Sequence, residues 1–158
     1  MNITRFLSIA SLALLASCGT QTRSSMVLQI AGSNTELQLR NTVCEATQNF
    51  SIAAAQVRCA GQFSNTTGIG DKIIFEINDA QYIQNNLGAS IAVNRNTVLP
   101  QVTLGNVIDH VVGGVFQFSD ISNQDGGRVC FQFNLLLSSQ ASLVGSFCDN
   151  IAVGSGIF

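Results

Sequence analysis

The chain has no tryptophan, one tyrosine (Tyr82), one histidine (His110) and one lysine (Lys72) in 158 residues, and only 10% of it is charged. Each shortage excludes something. Clustered Lys and Arg drive nucleic-acid binding by displacing counterions, and seven basic residues scattered among nine acidic ones, for a net charge of −2, cannot do so. Nucleic acid is therefore excluded as a main partner. The same scarcity removes a polybasic membrane patch. Alternating strands, low charge and a terminal Phe158 are features of membrane-spanning β-barrels, but such barrels carry aromatic girdles at both interfaces. With Tyr82 alone and no Trp, this chain lacks the residues to build them.

A single histidine also restricts catalysis. A hydrolytic triad needs a nucleophile, a base and an orienting acid, and only His110 could be the base. Alternation places it on the face of Ile108, Val112, Phe116 and Phe118, where a packed or edge histidine with a satisfied hydrogen bond is expected. No Gly-x-Ser-x-Gly elbow, dinucleotide-binding glycine pattern or phosphate loop occurs. Glu36, Glu45 and Glu76 fall on the polar side of predicted strands, which suits solvated faces better than paired carboxylates across a cleft. The acidic stretch Asp120-Ile121-Ser122-Asn123-Gln124-Asp125-Gly126-Gly127 offers oxygens to calcium, but Asp125 stands where an EF-hand loop needs glycine and Phe131 where it needs glutamate. A hairpin turn is the expected reading there. The triplets Asn49-Phe50-Ser51 and Asn65-Thr66-Thr67 match a glycosylation acceptor, a pattern that fourteen asparagines produce by chance, and no role is assigned to them. The expectation is no catalytic residue, no metal site and no cofactor.

What is present begins at the N-terminus. Arg5 precedes a largely apolar run over residues 6–16 that no acidic residue interrupts, the layout of a secretory signal. The run is about a dozen residues, whereas a membrane-crossing helix needs about 20. Its end, Leu15-Ala16-Ser17-Cys18, resembles the lipobox of bacterial lipoprotein precursors. The resemblance covers only about the first twenty residues. It implies cleavage before Cys18, a diacylglyceryl group on the Cys18 thiol, and attachment to a membrane through that lipid. In the enterobacterial sorting rule an Asp after the lipidated cysteine retains the protein in the inner membrane; Gly19 is not Asp, so the resemblance implies the outer membrane of a cell envelope.

From Cys18 onward 141 residues remain, enough for one domain with a real core. The expected organisation is a signal segment over 1–17, a lipidated tether over 18–25 and one domain over 26–158. Residues 19–25 contain nothing apolar to bury and read as a tether of at most roughly 25 Å. Polar positions are filled mainly by 14 Asn and 13 Gln.

Four cysteines are left once Cys18 is used: Cys44, Cys59, Cys130 and Cys148. An exported chain meets an oxidising compartment, so two disulfides are expected. Three connectivities are open, and proximity favours Cys44 with Cys59 and Cys130 with Cys148. Zinc is disfavoured because no Cys-x-x-Cys occurs and the spacings match no finger or ribbon.

Period-two alternation recurs along the chain. Ile73, Phe75 and Ile77 share a face; so do Val129, Phe131, Phe133, Leu135 and Leu137, opposite Cys130; and Leu37, Leu39 and Val43 form a third set. Turn clusters fall at Gly32-Ser33-Asn34, over 64–68, at Gly113-Gly114 and over 122–127. The pattern predicts an all-β fold, an antiparallel β-sandwich or small closed barrel of about eight to nine strands. Strands are expected at 26–31, 36–45, 52–60, 72–78, 89–94, 98–104, 107–119, 128–138 and 142–149. Residues 51–56 and 79–87 could instead be short helices, the second stopped by Gly88. A C-terminal meander holding Phe116, Phe118, Phe131, Phe133 and Phe147 is expected to supply much of the core. The functional expectation is a non-enzymatic binding or structural lipoprotein with an envelope protein or glycan as partner. A small-ligand or lipid carrier with an apolar cavity is the alternative, and an envelope enzyme is a third reading.

Overall fold

A computed structural model describes residues 24–30, 32–47 and 55–154. The elements are β1 (Ser25–Ile30), β2 (Ser33–Ala46), β3 (Val57–Phe63), β4 (Lys72–Ile77), α1 (Ala80–Asn85), β5 (Ser90–Ala92), β6 (Val98–Leu104), β7 (Val107–Asp109), β8 (Val111–Ile121), β9 (Arg128–Leu137) and β10 (Ser142–Val153). The fold is all-β, as the alternation predicts. Ten strands are found among the described residues rather than eight or nine, because the stretch 107–119 divides at His110 into β7 and β8. The expected strand 52–60 is found as Val57–Phe63, and residues 51–54 of the alternative helical turn lie outside the described residues. The second ambiguous stretch is helical: the Asp79 carboxylate accepts from the Tyr82 N–H to cap α1, and Gly88 follows it with φ +81°.

The strands form one hydrogen-bonded array in the order β5-β8-β9-β10-β1-β2-β3-β4-β6-β7, which does not close into a barrel. Neighbours are antiparallel. The array folds over itself like a sandwich because two long strands pass from one half to the other. β2 pairs with β1 over its first residues and with β3 over its last. β10 leaves β1 and ends in a short parallel pairing with β2, Ile151 beside Cys44 and Val153 beside Ala46.

The halves meet through phenylalanine. Phe75 of β4 lies 5.9 Å from Phe116, 4.8 Å from Phe131, 5.2 Å from Phe133 and 5.6 Å from Phe147, between ring centroids. Three of these four contacts are edge-to-face, the favoured arrangement for aromatic quadrupoles. All five phenylalanines of the C-terminal meander are buried, so β8, β9 and β10 supply the share of the core expected of them.

Three β-bulges shift the alternation, and each moves residues from the face that sequence period alone assigns. In β2 the register slips between Arg40 and Val43, with Asn41 at φ +50°. Val43 consequently leaves the face of Leu37 and Leu39, and Cys44 and Ala46 turn into the core. In β8 a slip between Val111 and Gly113 separates Ile108, His110 and Val112, all exposed, from the buried Phe116 and Phe118. Gly113-Gly114 is therefore a bulge within a strand, not a turn. Gly114 has φ +141°, and a Cβ there would stand 2.4 Å from the Asn134 carbonyl oxygen. The third slip, between Phe118 and Asp120, brings Ile121 back to the core and leaves Asp120 opposite Cys130.

Candidate functional site

Each half of the sandwich has an outer face, and the two differ in charge. On the β2-β3-β4-β6 side, Glu45, Arg58 and Glu76 stand opposite one another across three strands. Arg58 and Glu76 approach to 3.8 Å, and Gln101 donates to Glu76 at 3.4 Å. These glutamates belong to a solvated row of alternating sign. Glu36, the third candidate, is exposed on the other half.

The outer face of β8, β9, β10, β1 and the start of β2 is nearly uncharged. Register aligns Gln117, Gln132 and Ser146 in one row, and Val115, Asn134, Val144, Val27 and Glu36 in the next. Five strands at the usual spacing make this face about 19 Å wide. Gln117 is fixed by donating to the Gly88 carbonyl at 2.7 Å. At one end the face turns apolar, with Val112, Val115 and Leu136 exposed. Among the described residues charge enters at its margins, through Glu36 and through Arg128 and Asp120.

At the Arg128 end lies the second disulfide. Cys130 and Cys148 are directly opposed on β9 and β10 and bridged, with Cα atoms 4.1 Å apart. Cys44 and Cys59 are opposed and bridged in the same way on β2 and β3, also at 4.1 Å. The neighbouring-strand connectivity favoured by proximity is the one found. The Cys148 N–H donates to the Ser24 hydroxyl at 3.4 Å, so this end of the face adjoins the point where the N-terminal segment enters the fold.

Comparison of the chain with family models, curated proteins and solved structures finds no match.

The remaining candidate residues separate. Cys18 lies outside the described residues. His110 is exposed between β7 and β8, which corrects its expected place beside Phe116 and Phe118. Asp109 next to it is occupied: it accepts from the Ser138 hydroxyl at 2.7 Å, the Ser139 hydroxyl at 2.5 Å and the Ser139 N–H at 3.3 Å. The acid thus binds both hydroxyls directly, with no imidazole between them. These bonds tie β7, at one edge of the array, to the β9–β10 turn in the opposite half. Burial pushes the Asp109 carboxyl up, but the Ser139 and Ser138 donors more than offset it and hold it below its ordinary 3.8.

The 120–127 stretch is a turn in which the acids have separate duties. Asp120 lies on β8, Asp125 accepts from the Val153 N–H at 3.2 Å, and Gly126 takes φ +74°. Among the described residues no group of three or more His, Cys, Asp or Glu is gathered to hold a metal ion. Asn65 clips its loop to β2, accepting from the Gln38 N–H at 2.9 Å and donating to the Glu36 carbonyl at 2.6 Å.

Two residues with built side-chain partners escaped the sequence reading. Asp71, the buried charged residue among those described, accepts from the Asn106 N–H at 2.9 Å and joins the loop before β4 to the β6–β7 turn. Burial raises its carboxyl, and backbone donors led by Asn106 and Gly105 bring it below 3.8. Arg128 is the other: its guanidinium donates to the Cys148 Sγ at 3.0 Å. The spacing Arg128-x-Cys130 on a strand was a legible signal for it, since residues two apart share a face.

Proposed function

We propose that this protein is a lipid-anchored lipoprotein of the bacterial cell envelope whose β domain presents a binding or structural surface rather than catalysing a reaction. The leader with its Leu15-Ala16-Ser17-Cys18 end carries this reading. Two disulfides suit an oxidising, exported setting, which adds support without fixing the membrane. The absence of Asp at position 19 favours the outer membrane.

The surface offered to a partner is the neutral face of β8, β9, β10 and β1. Its amides and hydroxyls can exchange hydrogen bonds with the hydroxyls of a glycan or the backbone of an envelope protein, and its Val112–Val115–Leu136 corner adds apolar contact. The interlocked rings around Phe75 favour presentation over the carrier reading, because the space between the halves is filled there by side chains. Asp109, spent on Ser138 and Ser139, speaks against a triad built on His110.

Metabolic labelling with a fatty acid tests the anchor. The wild-type chain takes up label and the Cys18→Ser chain does not; label retained on Cys18→Ser contradicts the proposal.

A further inference from the structure

We propose that the Cys130–Cys148 bridge is a thiol–disulfide exchange site, opened by a dithiol reductant while Cys44–Cys59 stays closed, with the Cys148 sulfur leaving as a thiolate beside Arg128. The inference is independent of how the chain is anchored.

Both bridges join directly opposed residues of antiparallel strands with the same Cα separation, so their backbone settings do not distinguish them. Their surroundings do. Cys44 and Cys59 are 1% and 0% exposed and belong to the core cluster, with Phe75 opposite Cys59. A thiolate must approach along the sulfur–sulfur axis, and here that path runs through packed side chains. Cys130 and Cys148 point to the outer face and lie outside that cluster; Cys130 is 9% exposed and Cys148 half-buried. This bridge is thus the more accessible of the two, and labile and regulatory disulfides are those a thiol can reach.

Charge then polarises the more accessible bridge. The Arg128 guanidinium, 3.0 Å from the Cys148 Sγ, stabilises negative charge on that sulfur, as cations beside cysteines do generally. Asp120 stands opposite Cys130 in the register and disfavours a thiolate there. Cys148 is therefore the better leaving group and Cys130 the sulfur attacked.

The exchange balances as follows. One thiolate of the dithiol bonds to the Cys130 Sγ, the Cys130–Cys148 bond breaks, and its electron pair departs on Cys148. The second thiol, deprotonated, attacks the reductant's own sulfur in this mixed disulfide and releases Cys130. The reductant ends as a disulfide, having given two electrons; its two protons pass to the cysteine sulfurs, or to solvent where Cys148 remains a thiolate.

Opening leaves the fold standing. β9 and β10 are paired from Leu136↔Ser142 to Arg128↔Asn150 and flanked by β8 and β1. The product is a folded dithiol on the surface, able to close again.

The test exposes the full, oxidised chain to dithiothreitol at neutral pH without denaturant. Timed alkylation with peptide mass analysis follows each cysteine, and circular dichroism follows the strands. Cys130 and Cys148 are expected to become alkylated at least tenfold faster than Cys44 and Cys59, with the β signal retained. Arg128→Gln is expected to slow that opening about threefold for each unit by which the Cys148 thiol rises, and Arg128→Lys to restore most of it, with Cys44–Cys59 unaffected by either. Simultaneous opening of both bridges, earlier opening of Cys44–Cys59, or opening only with loss of the β signal would overturn the proposal. An unchanged rate in Arg128→Gln would overturn the assignment of Cys148 as leaving sulfur.

Discussion

The two disulfides bridge opposed cysteines on antiparallel strands, yet one is sealed in the core and the other faces outward, half-covered. Backbone slippage accounts for the difference. Cys130 follows the unbroken alternation of β9, in which Phe131, Phe133, Leu135 and Leu137 face inward alternately with Gln132, Asn134 and Leu136 facing outward. Cys44 comes after the bulge at Arg40–Val43, and that slip turns it inward beside Ala46. A residue's face on a strand is thus set by its distance from the last bulge, and two chemically identical bonds acquire different surroundings.

The comparison is broken most forcefully by removing each bridge in turn. Loops of 15 and 18 residues are closed, and loops of that length restrict the unfolded chain by about 3 kcal/mol each. The Cys44→Ala/Cys59→Ala pair also loses buried packing, so its cost in denaturant unfolding is expected to reach about 5 kcal/mol. The Cys130→Ser/Cys148→Ser pair lies outside the main core cluster, loses less packing and is expected to cost about 2 to 3 kcal/mol. Equal losses would show that burial does not separate the bridges.

Next in size comes the latch joining the two halves. Asp109→Ala removes three hydrogen bonds to a carboxylate and leaves Ser138 and Ser139 to water, a loss expected to be about 2 kcal/mol in the same measurement. Asp109→Asn and Asp71→Asn sharpen the point through pH. Both carboxyls titrate below 3.8 when folded, so the stability they supply is complete above the unfolded value and fades as pH falls through the depressed folded values. The wild-type melting temperature is expected to drop on acidification below about pH 4, and the double variant to drop less over the same window. A steeper acid loss in the variant would contradict the assignment. The smallest effect is expected of His110→Gln, within about 0.5 kcal/mol because the ring is exposed.

Strand content and the Phe-rich meander were legible in the sequence because they rest on period-two runs, which burial of one face imposes directly, and both disulfides were legible from an even cysteine count and proximity along the chain. The helix after β4 was legible as an alternative through Gly88. Positions downstream of a bulge were not: nothing local distinguishes Asn41 at positive φ from the asparagines of ordinary strand faces, and Val112 reads as one more alternating valine. His110 was therefore assigned to the face of Phe116, and Val43 to that of Leu37. Asp109 and Asp71 were illegible for another reason, since their partners lie 30 and 35 residues away, at Ser139 and Asn106. The neutral outer face required the cross-strand register, which sequence period alone does not supply.

The central claim is the address at Cys18, and the intact mass of the N-terminal peptide of protein recovered from the cell envelope tests it most directly. The account predicts a chain that begins at Cys18 and carries fatty-acyl mass on that residue. A chain that retains Met1, or that begins elsewhere with Cys18 unacylated, would contradict it.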